Sequence, residues 1–265
     1  MRCAAGPLYE KDTEMAGLGR IWQGTIGVVT LGVAAGSVWA QANRPIERKL
    51  LVASFENIQV IGDITVTVQT GKSPSAIASG DKRMLESLKL ERVGTTLRVR
   101  LQDIVNNNQG VPITAPLRVA LTTQEIRDMS LSGNGMLTVS AVKQQGLARM
   151  LVAGNGSITV GALIADQFTA TINGNGKIDL GGGAVRDARV TIDGSGGFDG
   201  AKAQMRQLRL EHIGNAVSTA TVEGATDIYN RGSGNITIGG NGSCFIKEAG
   251  QAAINCAKID KGGDR

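Results

Sequence analysis

The chain has 265 residues, with 28 Lys and Arg against 23 Asp and Glu, for a net charge of +5. The basic excess is mild and unclustered, and two Trp, two Tyr and four Phe cannot supply the basic stripe interleaved with stacking aromatics that nucleic-acid binding wants. A single histidine argues against a His-rich metal site and against a Ser-His-Asp triad, so neither a metal nor another cofactor is expected.

Residues 21 to 40 follow Arg20, carry no charge and are mostly apolar or small, and Val38-Trp39-Ala40 or Ala40-Gln41-Ala42 offers an A-x-A-like site. This is the pattern of a secretory signal peptide. An uncleaved anchor is the alternative, because the stretch is almost long enough to span a bilayer; its glycines and its exit into Ala-Gln-Ala favour cleavage. Met15 is an alternative start. Removing residues 1–40 takes equal numbers of basic and acidic groups, so the charge stays at +5. Cys3 leaves with the leader, and Cys244 and Cys256 remain as an even pair in an exported chain. No stable membrane span is expected afterwards, and the alternating strands of an outer-membrane barrel are missing.

After a linker at 41–53, Phe55 to Val60 and Asp63 to Val68 read as strands broken at Gly62. Lys82 to Leu90 has helical spacing through Met84, Leu85 and Leu88, and Thr96 to Leu101 returns to strand. Asn106 to Gly110 is a loop, and Pro112 to Leu121 resumes extended structure. Residues 54–128 lack the period that follows, and are expected to cap one end of the same domain.

From residue 129 a Gly-Xaa-Gly triplet recurs, beginning at Gly133, Gly154, Gly174, Gly194 and Gly232, with worn copies at Gly214 and Gly250. The spacings of 18 to 21 residues mark a β-solenoid, whose single coils cannot bury their own apolar face. Alternation flanks each triplet: Met129, Met150, Ala170, Val190 and Leu210 stand four before the first glycine, and Leu137/Val139, Ile158/Val160 and Ile178/Leu180 follow it. The pattern is strand, corner, strand, with the apolar set inward and the glycines at a corner that wants positive φ or close backbone approach. The middle residue is mostly Asn or Ser and is expected to form a ladder between coils about 4.8 Å apart. A strand-to-strand triplet is not a dinucleotide fingerprint, which needs a strand followed by a helix.

These residues resemble the putative auto-transporter adhesin, head GIN domain family. The likeness runs from Phe55-Glu56-Asn57-Ile58-Gln59-Val60 and Asp63-Ile64-Thr65-Val66-Thr67-Val68, through the helix and Gly94-Thr95-Thr96-Leu97-Arg98-Val99, to the serial coils LSGNGMLTV, VAGNGSITV and IDGSGGFDG. It covers about Ser54 to Lys258. The resemblance implies an all-β, right-handed parallel β-helix at 54–258, with a cap at 54–128, regular coils at 129–258 and a polar tail at 259–265. It also implies export, to the periplasm or the cell surface of a Gram-negative bacterium, and transfers no catalytic residue.

The outward position after each triplet reads Thr138, Thr159, Asp179, Asp199, Thr219 and Thr237. Asp179 and Asp199 should stack as like charges about 5 Å apart, able to recruit Ca²⁺ or to share a proton; a solvated polar ladder is the plainer outcome. His212, Asn230 and Glu248 turn the column two before the glycine polar, as at a widened end of the stack. Asn155, Asn235 and Asn241 sit in glycosylation-like sequons. Cys244 and Cys256 fall in inward columns of the last coil and are candidates for a disulfide. The function expected is a non-catalytic exported scaffold that binds an envelope glycan or protein along a face including Thr159, Asp179, Asp199 and Thr219. The alternative is a polysaccharide-acting enzyme centred on Asp179 and Asp199.

Overall fold

The computed structural model describes residues 46–102 and 115–260. The leader at 1–40, the loop at 106–110 and the last residues of the tail lie outside them. The elements in chain order are β1 (Ile46–Leu50), β2 (Asn57–Ile61), β3 (Thr65–Thr70), β4 (Ser75–Gly80), α1 (Lys82–Ser87), β5 (Leu88–Val93), β6 (Thr96–Leu101), β7 (Arg118–Thr123) and β8 (Asp128–Gly133). The coils follow as β9 (Met136–Gly154), β10 (Ser157–Gly174), β11 (Lys177–Leu180), β12 (Gly183–Gly194), β13 (Gly197–Gly214), β14 (Val217–Val222), β15 (Ala225–Asn230), β16 (Asn235–Gly239), β17 (Ser243–Glu248) and β18 (Ala253–Cys256). The fold is all-β, a β-solenoid of about six turns with one short helix.

Each regular coil contributes to three parallel ladders. Ladder A joins the residues after the triplet, as in Ile158↔Ile178↔Phe198. Ladder B is the short side, as in Leu163↔Gly183↔Ala203. Ladder C joins the residues before the triplet, as in Ile172↔Ile192↔His212. Parallel pairing at about 4.8 Å puts identical columns in register, so one residue type repeats inward through the stack. Val60, Leu131, Val152, Ile172 and Ile192 are buried in ladder C, and Val66, Leu137, Ile158, Ile178 and Phe198 in ladder A. Burial of such a side chain contributes about 1.5–3 kcal/mol, and no coil achieves it without its neighbours. From Gly200 the register jumps to Gln204, so ladder B all but disappears in the next coil. That is the physical content of the drop from 20-residue to 18-residue spacing.

The segment expected to be a cap divides in two. Strands β2 and β3 are a full coil of the stack: β2 lies between β6 and β8 in ladder C, and β3 between β7 and β9 in ladder A, all parallel. Gly62-Asp63-Ile64 stands where later coils carry their triplet, with Gly62 at φ 103°. The coil escaped the triplet pattern because Ile64 replaces the second glycine. Closure is left to antiparallel strands: β5 on β6, and β4 on β7. Strand β1, inside the segment taken for linker, pairs with β4. The helix is shorter than expected. Asp81 caps it by accepting from the Arg83 amide at 3.0 Å, and Leu88 to Leu90 have already turned extended to pair with β6. Extended structure expected from Pro112 is strand only from Arg118, and residues 112–114 lie outside the described ones.

Candidate functional site

The triplet corners are fixed by backbone contact. Gly133, Gly154, Gly174 and Gly194 have φ from 113° to 127°, which glycine alone adopts without strain. A Cβ on Gly174 would also meet the Gly154 carbonyl oxygen at 2.7 Å. Gly232 differs. Its φ is not in the left-handed region, which moves to Gly234 at 147°, yet a Cβ on Gly232 would collide with the Gly214 carbonyl. The middle residues form a directional chain. The Asn175 amide donates to Asn155 Oδ1 at 3.0 Å, Asn155 to Asn134 Oδ1 at 2.9 Å, and Asn134 to Asp63 Oδ1 at 3.0 Å.

Asp179 and Asp199 are register partners on ladder A, between Thr159 and Thr219. The pair is not bare. Lys177 Nζ lies 3.3 Å from Asp179 Oδ2 and 3.9 Å from Asp199 Oδ2. Asp199 Oδ1 accepts from the Thr219 hydroxyl at 3.0 Å and from the Ala201 amide at 3.2 Å. A cation is therefore already supplied by the chain between the carboxylates, and Thr159 takes its place as the next rung. Among the described residues no group of three or more His, Cys, Asp and Glu is arranged to hold a metal.

The C-terminal coils carry a polar interior. His212, Ser218, Thr226 and Asn230 are buried. His212 Nε2 shares a 2.8 Å hydrogen bond with the Ser218 hydroxyl, while His212 Nδ1 and Asn230 Oδ1 have no partner among the described residues although the two residues are neighbours in register. Burial pushes the His212 pKa down to about 4, because the charged imidazolium loses its hydration. Cys244 and Cys256 are joined as a disulfide with Cα atoms 6.4 Å apart, and the Cys244 amide donates to the Lys258 carbonyl at 2.8 Å.

A second outward face carries more shape. Two depressions, of about 410 Å³ and 380 Å³, lie on the outer surface of ladder C. One register column threads both. Thr96, Asn57, Asp128 and Arg149 line the first, and Thr169, Arg189, Arg209 and Asp227 continue the column through the second. Arg149 is paired to Asp128 at 3.4 Å. The Arg209 guanidinium sits 4.2 Å above the Tyr229 ring, a cation–π contact, and its Nε is buried without an acceptor among the described residues. Sequence reasoning did not single out this column, although it stands five residues before each first glycine. Its residues stand about twenty apart in the chain, so its charges form no run in the sequence.

The family described as "Putative auto-transporter adhesin, head GIN domain" matches residues 54–242. No match is found among curated proteins. Among solved structures, one described as a putative adhesin from Bacteroides fragilis NCTC 9343 is similar at 15% identity and TM-score 0.65, over 82% of this chain and 98% of that one. A structure described as a putative lipid binding protein from Parabacteroides distasonis ATCC 8503 is 19% identical with TM-score 0.62, over 83% and 98%. A putative adhesin from Parabacteroides merdae ATCC 43184 is 14% identical with TM-score 0.56, over 83% and 97%. At these identities the likeness is one of fold. No described helix is long and apolar enough to cross a membrane.

Proposed function

The chain belongs to the putative auto-transporter adhesin, head GIN domain family, and from that premise we propose that it is an exported, non-catalytic scaffold whose ladder C face binds an envelope or extracellular partner. The observation that carries this reading is the single polar column running through both depressions. It gives a repetitive hydrogen-bonding surface with one set of groups per coil, which suits extended ligands and multivalent contact. The scaffold domain is taken as 54–258, its leader as 1–40, and the envelope or the cell surface as its destination.

The enzyme alternative gains no support from ladder A. Lys177, Thr219 and the Ala201 amide already engage Asp179 and Asp199, leaving no poised acid and base. A lipid is a second ligand class, favoured by one observation: Val93, 60% exposed, and Leu151 line the first depression. The test is a glycan array, run with vesicle flotation, on the purified protein and on a Thr169→Trp variant that fills the groove. Retention of at least one class, lost in the variant, is expected. Binding indifferent to Thr169→Trp but lost on changing Asp179 and Asp199 would move the site to ladder A.

A further inference from the structure

We propose that Arg189 and Arg209 form a subsite for one carboxylate of an acidic polysaccharide in which uronic acids alternate with neutral sugars. The inference rests on ladder C being the binding face and names what that face selects. Arg189 and Arg209 are register partners on adjacent coils, so their side chains leave the sheet in the same direction about 4.8 Å apart. Like charges placed directly opposite destabilise a sheet, and elsewhere such charges are offset: Lys177 lies between Asp179 and Asp199, Arg149 meets Asp128, and Arg231 meets Glu248. Among the described residues neither Arg189 nor Arg209 has a carboxylate within ion-pair distance. Two acids flank the pair, and neither is within ion-pair distance of it. Asp187 is held by Arg186 at 3.0 Å, and Asp227, beside Arg209 in register, forms no ion pair among the described residues.

The two guanidiniums are unequal in a useful way. Arg209 is held by Tyr229, whose ring lies under the guanidinium and whose hydroxyl meets Nη1 at 3.4 Å. Its Nε–H is buried and has no acceptor among the described residues, so an incoming carboxylate would be met by the Nη edge of the guanidinium. Arg189 is exposed and free to swing. A planar carboxylate fits the guanidinium fork through two parallel hydrogen bonds, and here it would be gripped by one fixed fork and one mobile fork.

What flanks the pair defines the rest of the ligand. Along the column the neighbours are Thr169 on one side and Asp227 on the other, with Gln167, Asp187 and Gln207 in the adjoining column. Amides, a hydroxyl and carboxylates hydrogen-bond to sugar hydroxyls, and Asp227, which has no ion pair among the described residues, repels a second negative charge on its side of the pair. A contiguous polyanion therefore fits poorly. A single acid bracketed by neutral, hydroxyl-rich units fits.

The experiment is isothermal titration of the purified protein with hyaluronan oligosaccharides, with the same oligosaccharides after carboxyl reduction, and with polygalacturonate. Hyaluronan oligosaccharides should bind at least about tenfold more tightly than the reduced form, the worth of a charged hydrogen-bonded pair, and more tightly than polygalacturonate. Arg189→Gln with Arg209→Gln should erase that preference. Arg189→Gln alone, at an exposed side chain with no hydrogen bond or ion pair among the described residues, should remove part of it with melting unchanged or slightly raised as like-charge repulsion is relieved, which guards against misfolding. Equal affinity for the carboxylated and reduced forms, equal binding by the double variant, or no heat from hyaluronan at millimolar concentration each overturns the proposal. If saccharide binding persists without charge preference and is lost in Thr169→Trp, the binding face stands and only the carboxylate subsite fails. If binding survives Thr169→Trp, the face itself is wrong.

Discussion

Single residues decide this molecule at its corners. Gly174→Val would place a side chain on a residue at φ 113° whose Cβ would lie 2.7 Å from a backbone oxygen. A destabilisation of about 2–4 kcal/mol is expected, read by urea denaturation. Gly232→Ala should also destabilise, although its φ is ordinary, because its Cβ would strike the Gly214 carbonyl. Ser195 makes no side-chain bond in the corner chain, which runs from Asn175 to Asp63 and resumes where Ser233 donates to Asn215. Ser195→Asn would join the two pieces and is expected to stabilise by about 1 kcal/mol, seen as a raised denaturation midpoint at unchanged m-value. His212 gives the acid response. Its folded pKa, near 4, lies below its ordinary 6.5, so the unfolded chain binds the proton first. The stability that its neutral burial contributes is complete above pH 6.5 and falls as pH drops toward 4, by about 3 kcal/mol in all. Glu248, expected in the same column, is shifted in register to pair with Tyr229 and is held by Arg231, so the register neighbours of His212, Ile192 and Asn230, are uncharged. Thermal melts between pH 7 and 4 should steepen in the wild type and flatten in His212→Leu.

Among elements, what the sequence made legible was whatever repeats. The coil period put Asp179 opposite Asp199 and both cysteines in inward columns before any coordinates. Lys177 was equally available, two residues before Asp179 and so on the same outward side, but its reach across to the next coil is a matter of rotamer. The ladder C column stands at a constant offset from each triplet as far as Asp128. Thr96 and Asn57 extend it out of chain order, and no period reveals them. The depressions over that column depend on how large side chains in neighbouring columns pack, which alternation does not encode. At the C-terminal end the disulfide joins β17 to β18 across 12 residues, and the loop-entropy estimate for such a link is about 3 kcal/mol. Cys244→Ser with Cys256→Ser should lower stability by up to that amount, with limited proteolysis cutting first within 243–260. An unchanged cleavage pattern would show that the parallel ladder alone secures the end.

At the scale of the whole molecule, the two ends of the stack are built differently. One is closed by antiparallel strands, and the other by a disulfide over a core that has turned polar at His212, Ser218, Thr226 and Asn230. The intercalated position of β2 and β3 governs how load enters this object. A pull on the N-terminal side first strips β1 from β4, its partner among the described residues. It then meets β2, bonded along both edges to β6 and β8, so the next step is a shear inside the stack. A pull on the C-terminal side meets Cys256 at the end of β18 first, and the disulfide passes the load straight to Cys244 in β17. Load from the N-terminal side therefore enters the stack through a strand held along both edges, and load from the C-terminal side enters it through a covalent cross-link.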